Sequence, residues 1–205
     1  MRRMKSRMLG MTAVVLLGAP LAAFASSDLG DFTNSAGTLS GSAGGLTLSG
    51  SELIAVNGLD SLGLVTGSLG SVAFSTGTLA SGTLQSGGTF APGGSFVIDG
   101  DGVGGIPTGD IFSGKWVSPV TWTLNTLTHT YDLSGSLTGT WYTGASVNGA
   151  VIQLTGSTGA GLFAGSVTLS SGDTAIVSSV PEPATLALFG FGFVALGFMR
   201  RRQAR

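Results

Sequence analysis

The chain has no cysteine and a single histidine, His129. Without thiols it forms no disulfide and offers neither a thiolate nucleophile nor a soft-metal ligand. One imidazole also excludes, within one chain, any metal site built from two histidines or from histidine plus cysteine. Basic side chains are nearly missing from the middle of the sequence. Between Ser26 and Val180 only Lys115 is basic, against nine acids: Asp28, Asp31, Glu52, Asp60, Asp99, Asp101, Asp110, Asp132 and Asp173. Nine negative charges and one positive leave that stretch at −8, although the whole chain carries only −1. Phosphate is repelled by such a surface, so nucleic acid and anionic membrane surfaces are excluded as partners. Cations and neutral polymers such as polysaccharide remain. Strong helix formers are scarce as well: Lys, Glu, Gln, Arg and Met supply only four residues between Ser26 and Val180, too few to cover a helix surface.

The missing charge has gone to the ends. Arg2, Arg3, Lys5 and Arg7 precede an apolar run from Met8 to Ala22, and Ala23-Phe24-Ala25 follows as a small-x-small pattern. This order is that of a signal peptide, with Ala23 and Ala25 as the determinants read by signal peptidase and residues 1–25 removed. At the other end Val180-Pro181-Glu182-Pro183 leads into an uncharged segment, 184–199, closed by Arg200, Arg201 and Arg202. As a helix at about 1.5 Å per residue, that segment spans roughly 24 Å, short of a hydrocarbon core of about 30 Å. The arginines hold the C-terminus in the cytoplasm by the positive-inside rule, so the middle domain lies across the membrane. The two prolines keep the preceding segment extended and present Glu182 just outside the bilayer.

Half of the intervening domain, 26–179, is Gly, Ser or Thr, yet Val, Ile, Leu, Phe, Trp and Tyr recur every second or third residue. That recurrence separates it from a disordered linker. Val120-Thr121-Trp122-Thr123-Leu124 alternates with period two, as a half-buried strand does. Strands are also expected at 71–76, 95–99, 110–116, 150–155 and 162–170. Leu133, Leu137 and Trp141 mark two further segments with a turn at Ser134-Gly135. Residues 26–50, poorest in bulky side chains, read as a loose leader or an edge strand. Near-copies at Gly37–Gly41, Gly77–Gly82 and Val167–Gly172 are unevenly spaced, which suits repeated hairpins better than a β-helix. The expected fold is all-β, a single antiparallel β-sandwich or jelly-roll-like domain, flanked by an N-terminal signal helix and a C-terminal transmembrane helix.

Candidate chemistry inside this domain is thin. Asp99-Gly100-Asp101-Gly102, with Asp110 beyond, resembles the start of a calcium loop, because hard cations take carboxylates on a flexible backbone. No glutamate stands at loop position 12, and an Asp-Gly turn explains the same residues. Calcium at Asp99, Asp101 and Asp110 is the one cofactor expectation. His129 and Tyr131 share one face of an expected strand and Asp132 the other, which opposes a hydrolase triad, and no Gly-x-Ser-x-Gly elbow occurs. Paired carboxylates able to hydrolyse glycosides are expected by chance among nine acids. Trp116, Trp122, Tyr131, Trp141 and Tyr142 cluster in sequence, mostly as core. Trp141 and Tyr142 are adjacent on a strand and face opposite ways, so one ring should be exposed and is the candidate sugar-stacking surface.

The tail, 180–205, resembles that of the PEP-CTERM family of exported bacterial proteins, in its Val180-Pro181-Glu182-Pro183, its apolar segment and its Arg200–Arg202 stop. The resemblance implies recognition of Pro181, Glu182 and Pro183 by exosortase, a membrane-embedded cysteine peptidase of Gram-negative bacteria that make exopolysaccharide. It also implies an inner-membrane intermediate with the β domain in the periplasm, followed by transfer to the cell surface or the extracellular matrix. The reading is a non-enzymatic, structural or adhesive protein associated with exopolysaccharide. A carbohydrate- or calcium-binding module is the alternative, and a secreted hydrolase ranks behind both.

Overall fold

The computed structural model describes residues 24–157 and 162–181, with Ser26–Ser179 as one compact unit. Strands β1 (Phe24–Ser35) and β2 (Thr38–Ser42) are two halves of one bent strand, and β3 (Gly45–Asn57) returns antiparallel along both. A short 3-10 turn, Leu59–Ser61, leads into β4 (Val65–Ser75). A hairpin of β5 (Leu79–Thr83) and β6 (Gly87–Phe90) then branches out before β7 (Gly93–Asp101) resumes the sheet. The remaining strands are β8 (Thr108–Trp116), β9 (Val120–Asn125), β10 (Thr130–Trp141), β11 (Ser146–Ser157) and β12 (Ser166–Pro181).

Apart from a branch in which β9 pairs with β10, β6 with β9 and β5 with β6, each strand pairs with the next in the chain: β3 with β4, β4 with β7, β7 with β8, β8 with β10, β10 with β11 and β11 with β12. β12 then pairs back onto β2 and β1, so the circuit closes. The all-β antiparallel character is as expected. Its connectivity is the up-and-down meander of a closed barrel, without the Greek-key crossings that a jelly roll requires. Closure explains how a sheet so poor in charge remains a single domain: β1–β4, β7, β8 and β10–β12 leave no open edge to be guarded by lysines. The expected signal helix and the helix at 184–199 lie outside the described residues.

Period-two alternation drives this closure. In β9, Val120 and Trp122 are buried while Thr121 and Thr123 are exposed; β4 repeats the pattern with Val72 and Phe74. Register shifts adjust the phase, two of them in β3 against β4. Leu48 and Ser51, three apart in β3, both face inward, and the extra residue includes Gly50 at φ 66°, a conformation that other residues adopt only with strain. The interior is aromatic: Phe74, Phe96 and Trp116 meet edge to face or stacked at 5.7–6.0 Å. Trp122 stacks on Tyr131 at 4.7 Å, and Phe163 meets both rings edge-on. Trp116, Trp122 and Tyr131 are thus core, as the composition suggested.

Three local expectations need correction. Ser134-Gly135 is no turn, since β10 runs unbroken from Thr130 to Trp141. Glycine is there because a Cβ at 135 would stand 2.7 Å from Cε3 and Cζ3 of Trp116. Residues 26–50 are neither leader nor edge: they form β1, β2 and the start of β3, and they bury Phe32, Leu39, Leu46 and Leu48. The near-copies at 37–41 and 77–82 fall in the first strands of two hairpins, β2–β3 and β5–β6, but those at 37–41 and 167–172 are not independent units. They pair with each other across β2 and β12, Leu39 opposite Val167 and Thr38 opposite Thr168.

Candidate functional site

Two carboxyl pairs are built on the outer face of the barrel. The β7–β8 hairpin turns at Gly104-Gly105 and sets Asp99 directly opposite Asp110. Partial burial raises the Asp99 pKa first; a hydrogen bond shared with Asp110 and repulsion by Asp110 and Asp101 raise it further. On the far side of the circuit Asp173 of β12 shares a hydrogen bond with Asp31 of β1. Its pKa is raised by burial, by that bond and by repulsion from Asp31, against a smaller opposing effect of the Thr174 backbone. Asp101 is one step removed, opposite Thr108. Among the described residues no group of three or more His, Cys, Asp or Glu side chains converges to hold a metal ion. The sequence joined Asp99 and Asp110 only as a calcium loop or an Asp-Gly turn; both Asp99 and Asp101 lie in β7 instead, and the hairpin register supplies the Asp99–Asp110 pairing. Asp31–Asp173 left no sequence signal, because its partners are 142 positions apart.

The sign of the pH dependence follows from these raised pKa values. A folded carboxyl that holds its proton more tightly than the unfolded one penalises the fold above its own pKa. The penalty disappears as pH falls below the ordinary value of 3.8. Asp110→Asn is therefore expected to stabilise the barrel at pH 7 by about 0.2–1 kcal/mol, the range for like charges directly opposite on a sheet, at the low end because exposed pairs are screened. Urea unfolding at pH 7 and near pH 3 checks it; a gain that persists unchanged at the acid end contradicts the coupling.

Trp141 and Tyr142 divide into one buried and one exposed ring, although Tyr142 is in the turn and not, as expected, on the strand. Trp141 is buried and packs edge-on against Phe32 at 5.9 Å, whereas Tyr142 is exposed just beyond β10. The Tyr142 hydroxyl donates to Asp60 in the turn after β3, and this bond holds the phenol pKa above its usual range. His129 is not on a strand. It occupies the tight β9–β10 turn at φ 53°, so the parity argument that separated it from Asp132 does not apply. Asp132 accepts a hydrogen bond from the Thr155 hydroxyl at 2.9 Å.

A shallow open depression of about 470 Å³ crosses the outside of β8, β10 and β11. Ser113, Lys115, Thr138, Thr140 and Ser146 line it, and Gly114 lies opposite Gly139 at its floor. Sequence reasoning did not find this face, because its residues are spread over three strands.

The sorting residues lie at the margins of the described chain. Ala25 is near the start of β1, and Pro181 is the last residue of β12. Ala23, Glu182, Pro183, Arg200, Arg201 and Arg202 lie outside the described residues. No helix among the described residues is long and apolar enough to cross a membrane. A closed β domain whose last strand runs straight into a Pro-Glu-Pro and an apolar, arginine-ended tail defines an exported passenger with a C-terminal sorting signal. The chain carries the PEP-CTERM protein-sorting motif at residues 179–203. That motif implies export through a membrane-anchored intermediate and processing by exosortase. No curated protein and no solved structure matches the chain.

Proposed function

We propose that this is a non-enzymatic structural or adhesive protein of the cell surface or extracellular matrix, released by exosortase and associated with exopolysaccharide. The observation that carries this reading is the sorting motif at 179–203 following directly on a closed barrel. On this reading signal peptidase removes residues 1–25 after Ala25. The barrel, residues 26–179, folds in the periplasm while residues 184–199 span the inner membrane, and Pro181, Glu182 and Pro183 are recognised. Replacing Pro181, Glu182 and Pro183 together by alanine is expected to trap the full tail in the membrane fraction and to abolish the extracellular form. Mass spectrometry of both fractions checks this, and undiminished extracellular protein from the variant sinks it.

The hydroxyl-lined depression favours carbohydrate binding as the second reading. Serine and threonine hydroxyls around Lys115, the domain's one cation, suit the hydroxyls of a neutral sugar polymer. A polysaccharide affinity gel would retain the wild-type protein and release it in Lys115→Ala if this reading holds. A calcium-binding version would bring Asp99, Asp101 and Asp110 to the ion, with calorimetric heat on calcium addition.

A further inference from the structure

We infer that, while the tail is membrane-inserted, the end of the barrel from which β12 departs rests on zwitterionic lipid headgroups through Leu64, Val103 and Tyr142. This rests on the sorting reading above. The direction of departure comes from the register. Gly156 of β11 lies opposite Leu169 and Val151 opposite Ala175, so β12 advances toward the turn that joins β10 to β11 at residues 142–145.

Three connections meet at that end. Tyr142, in the β10–β11 turn, is hydrogen-bonded to Asp60 in the β3–β4 turn. The β7–β8 loop closes on the same place: a Cβ on Gly104 would stand 2.7 Å from Cγ1 of Val65, and one on Gly105 3.5 Å from Cδ1 of Leu62. Three large side chains are left uncovered around these turns, Leu64 at 68 % exposure, Val103 at 52 % and Tyr142 at 36 %.

Reach then fixes what they face. β12 is strand as far as Pro181, and the apolar run begins at Ala184. Three residue steps span at most about 10 Å, at roughly 3.3–3.6 Å each. The headgroup layer on one side of a bilayer is itself about 5–8 Å thick. Even fully extended, that tether exceeds the headgroup layer by only a few ångströms, so this end of the barrel stays within side-chain reach of the headgroups. Apolar side chains and a tyrosine are what the headgroup region accommodates. Asp60 and Asp101 belong to the same end and repel anionic lipid, so the surface suits zwitterionic headgroups.

The absence of cysteine makes the test direct. A fluorophore is placed on Leu64→Cys, Val103→Cys or, as the far-end control in the β9–β10 turn, Leu127→Cys in the full chain. Each variant is inserted into phosphatidylcholine vesicles containing a headgroup-nitroxide quencher. The expected result is loss of fluorescence at positions 64 and 103, none at 127, and weaker loss when anionic lipid is added. Equal fluorescence at all three positions, in protein that resists alkaline extraction, would overturn the inference and leave the sorting reading intact. Extraction of the protein by alkali would overturn the sorting reading, and the inference with it.

Discussion

Trp122→Ala is expected to destabilise the barrel by about 3–5 kcal/mol, the cost of deleting a large buried aromatic from a close-packed core. Trp122 is 1 % exposed, stacks on Tyr131 and meets Phe163 edge-on. Its indole N–H donates to the Leu84 carbonyl at 2.9 Å, while the Tyr131 hydroxyl donates to the Gln85 carbonyl at 2.6 Å and accepts from the Phe163 N–H at 3.0 Å. Those bonds tie the turn of the β5–β6 hairpin to the interior. Alanine therefore removes core volume and strands a carbonyl at the same time. Trp122→Phe keeps a ring and loses the N–H, so a smaller loss of about 1–3 kcal/mol is expected for the stranded acceptor. Urea unfolding measures both; the midpoint should fall with the slope unchanged. Equal losses for the two variants would mean that ring packing contributes nothing here.

Gly135→Val is expected to cost about 3 kcal/mol, the upper end of what overpacking a core exacts. The clash is with Trp116, which has nowhere to retreat. That ring is 1 % exposed, its N–H donates to the Ser75 carbonyl at 2.9 Å, and Phe74 and Phe96 meet it edge to face. Coupling provides the sharper test. In Trp116→Phe the smaller ring vacates the space that the introduced isopropyl group needs, so the double variant should be clearly less destabilised than the sum of the two single changes. Strict additivity would show that the glycine serves some purpose other than making room for the indole.

Gly135 also shows why part of the fold could not be read from the chain. Next to serine, a glycine has the composition of a turn, and only the indole lying across it from β8, 19 positions earlier in sequence, gives the other reason. Residues 26–50 mislead in a related way. Their few large side chains are spaced widely because a bend separates β1 from β2 and a turn separates β2 from β3, yet Phe32, Leu39, Leu46 and Leu48 all reach one interior. The short β5 and β6 strands were signalled only by the near-copy at Gly77–Gly82, because their glycines and small polar residues carry almost no apolar alternation. Where alternation was clean, as at Val120–Leu124, the strand boundaries nearly coincide with the expected ones.

The site shows the same division. Trp141 inside follows from its parity with Leu137 and Leu133 on β10, whereas Tyr142, already in the turn, is exposed because the strand has ended. Asp60 as the partner of Tyr142 depends on two turns meeting at one end of a closed sheet, 82 positions apart. The same holds for Asp31 with Asp173 and for the depression around Lys115.

By itself, the sequence determined the β character, the acidic exterior and the C-terminal sorting signal, because hydrophobic period, charge and short linear motifs are local properties of the chain. The tertiary structure alone decided that the strands form a closed meander and which carboxyls, turns and rings meet. Those are consequences of which distant strands become neighbours, and glycine, serine and threonine, alike on every outer face, do not encode that choice locally.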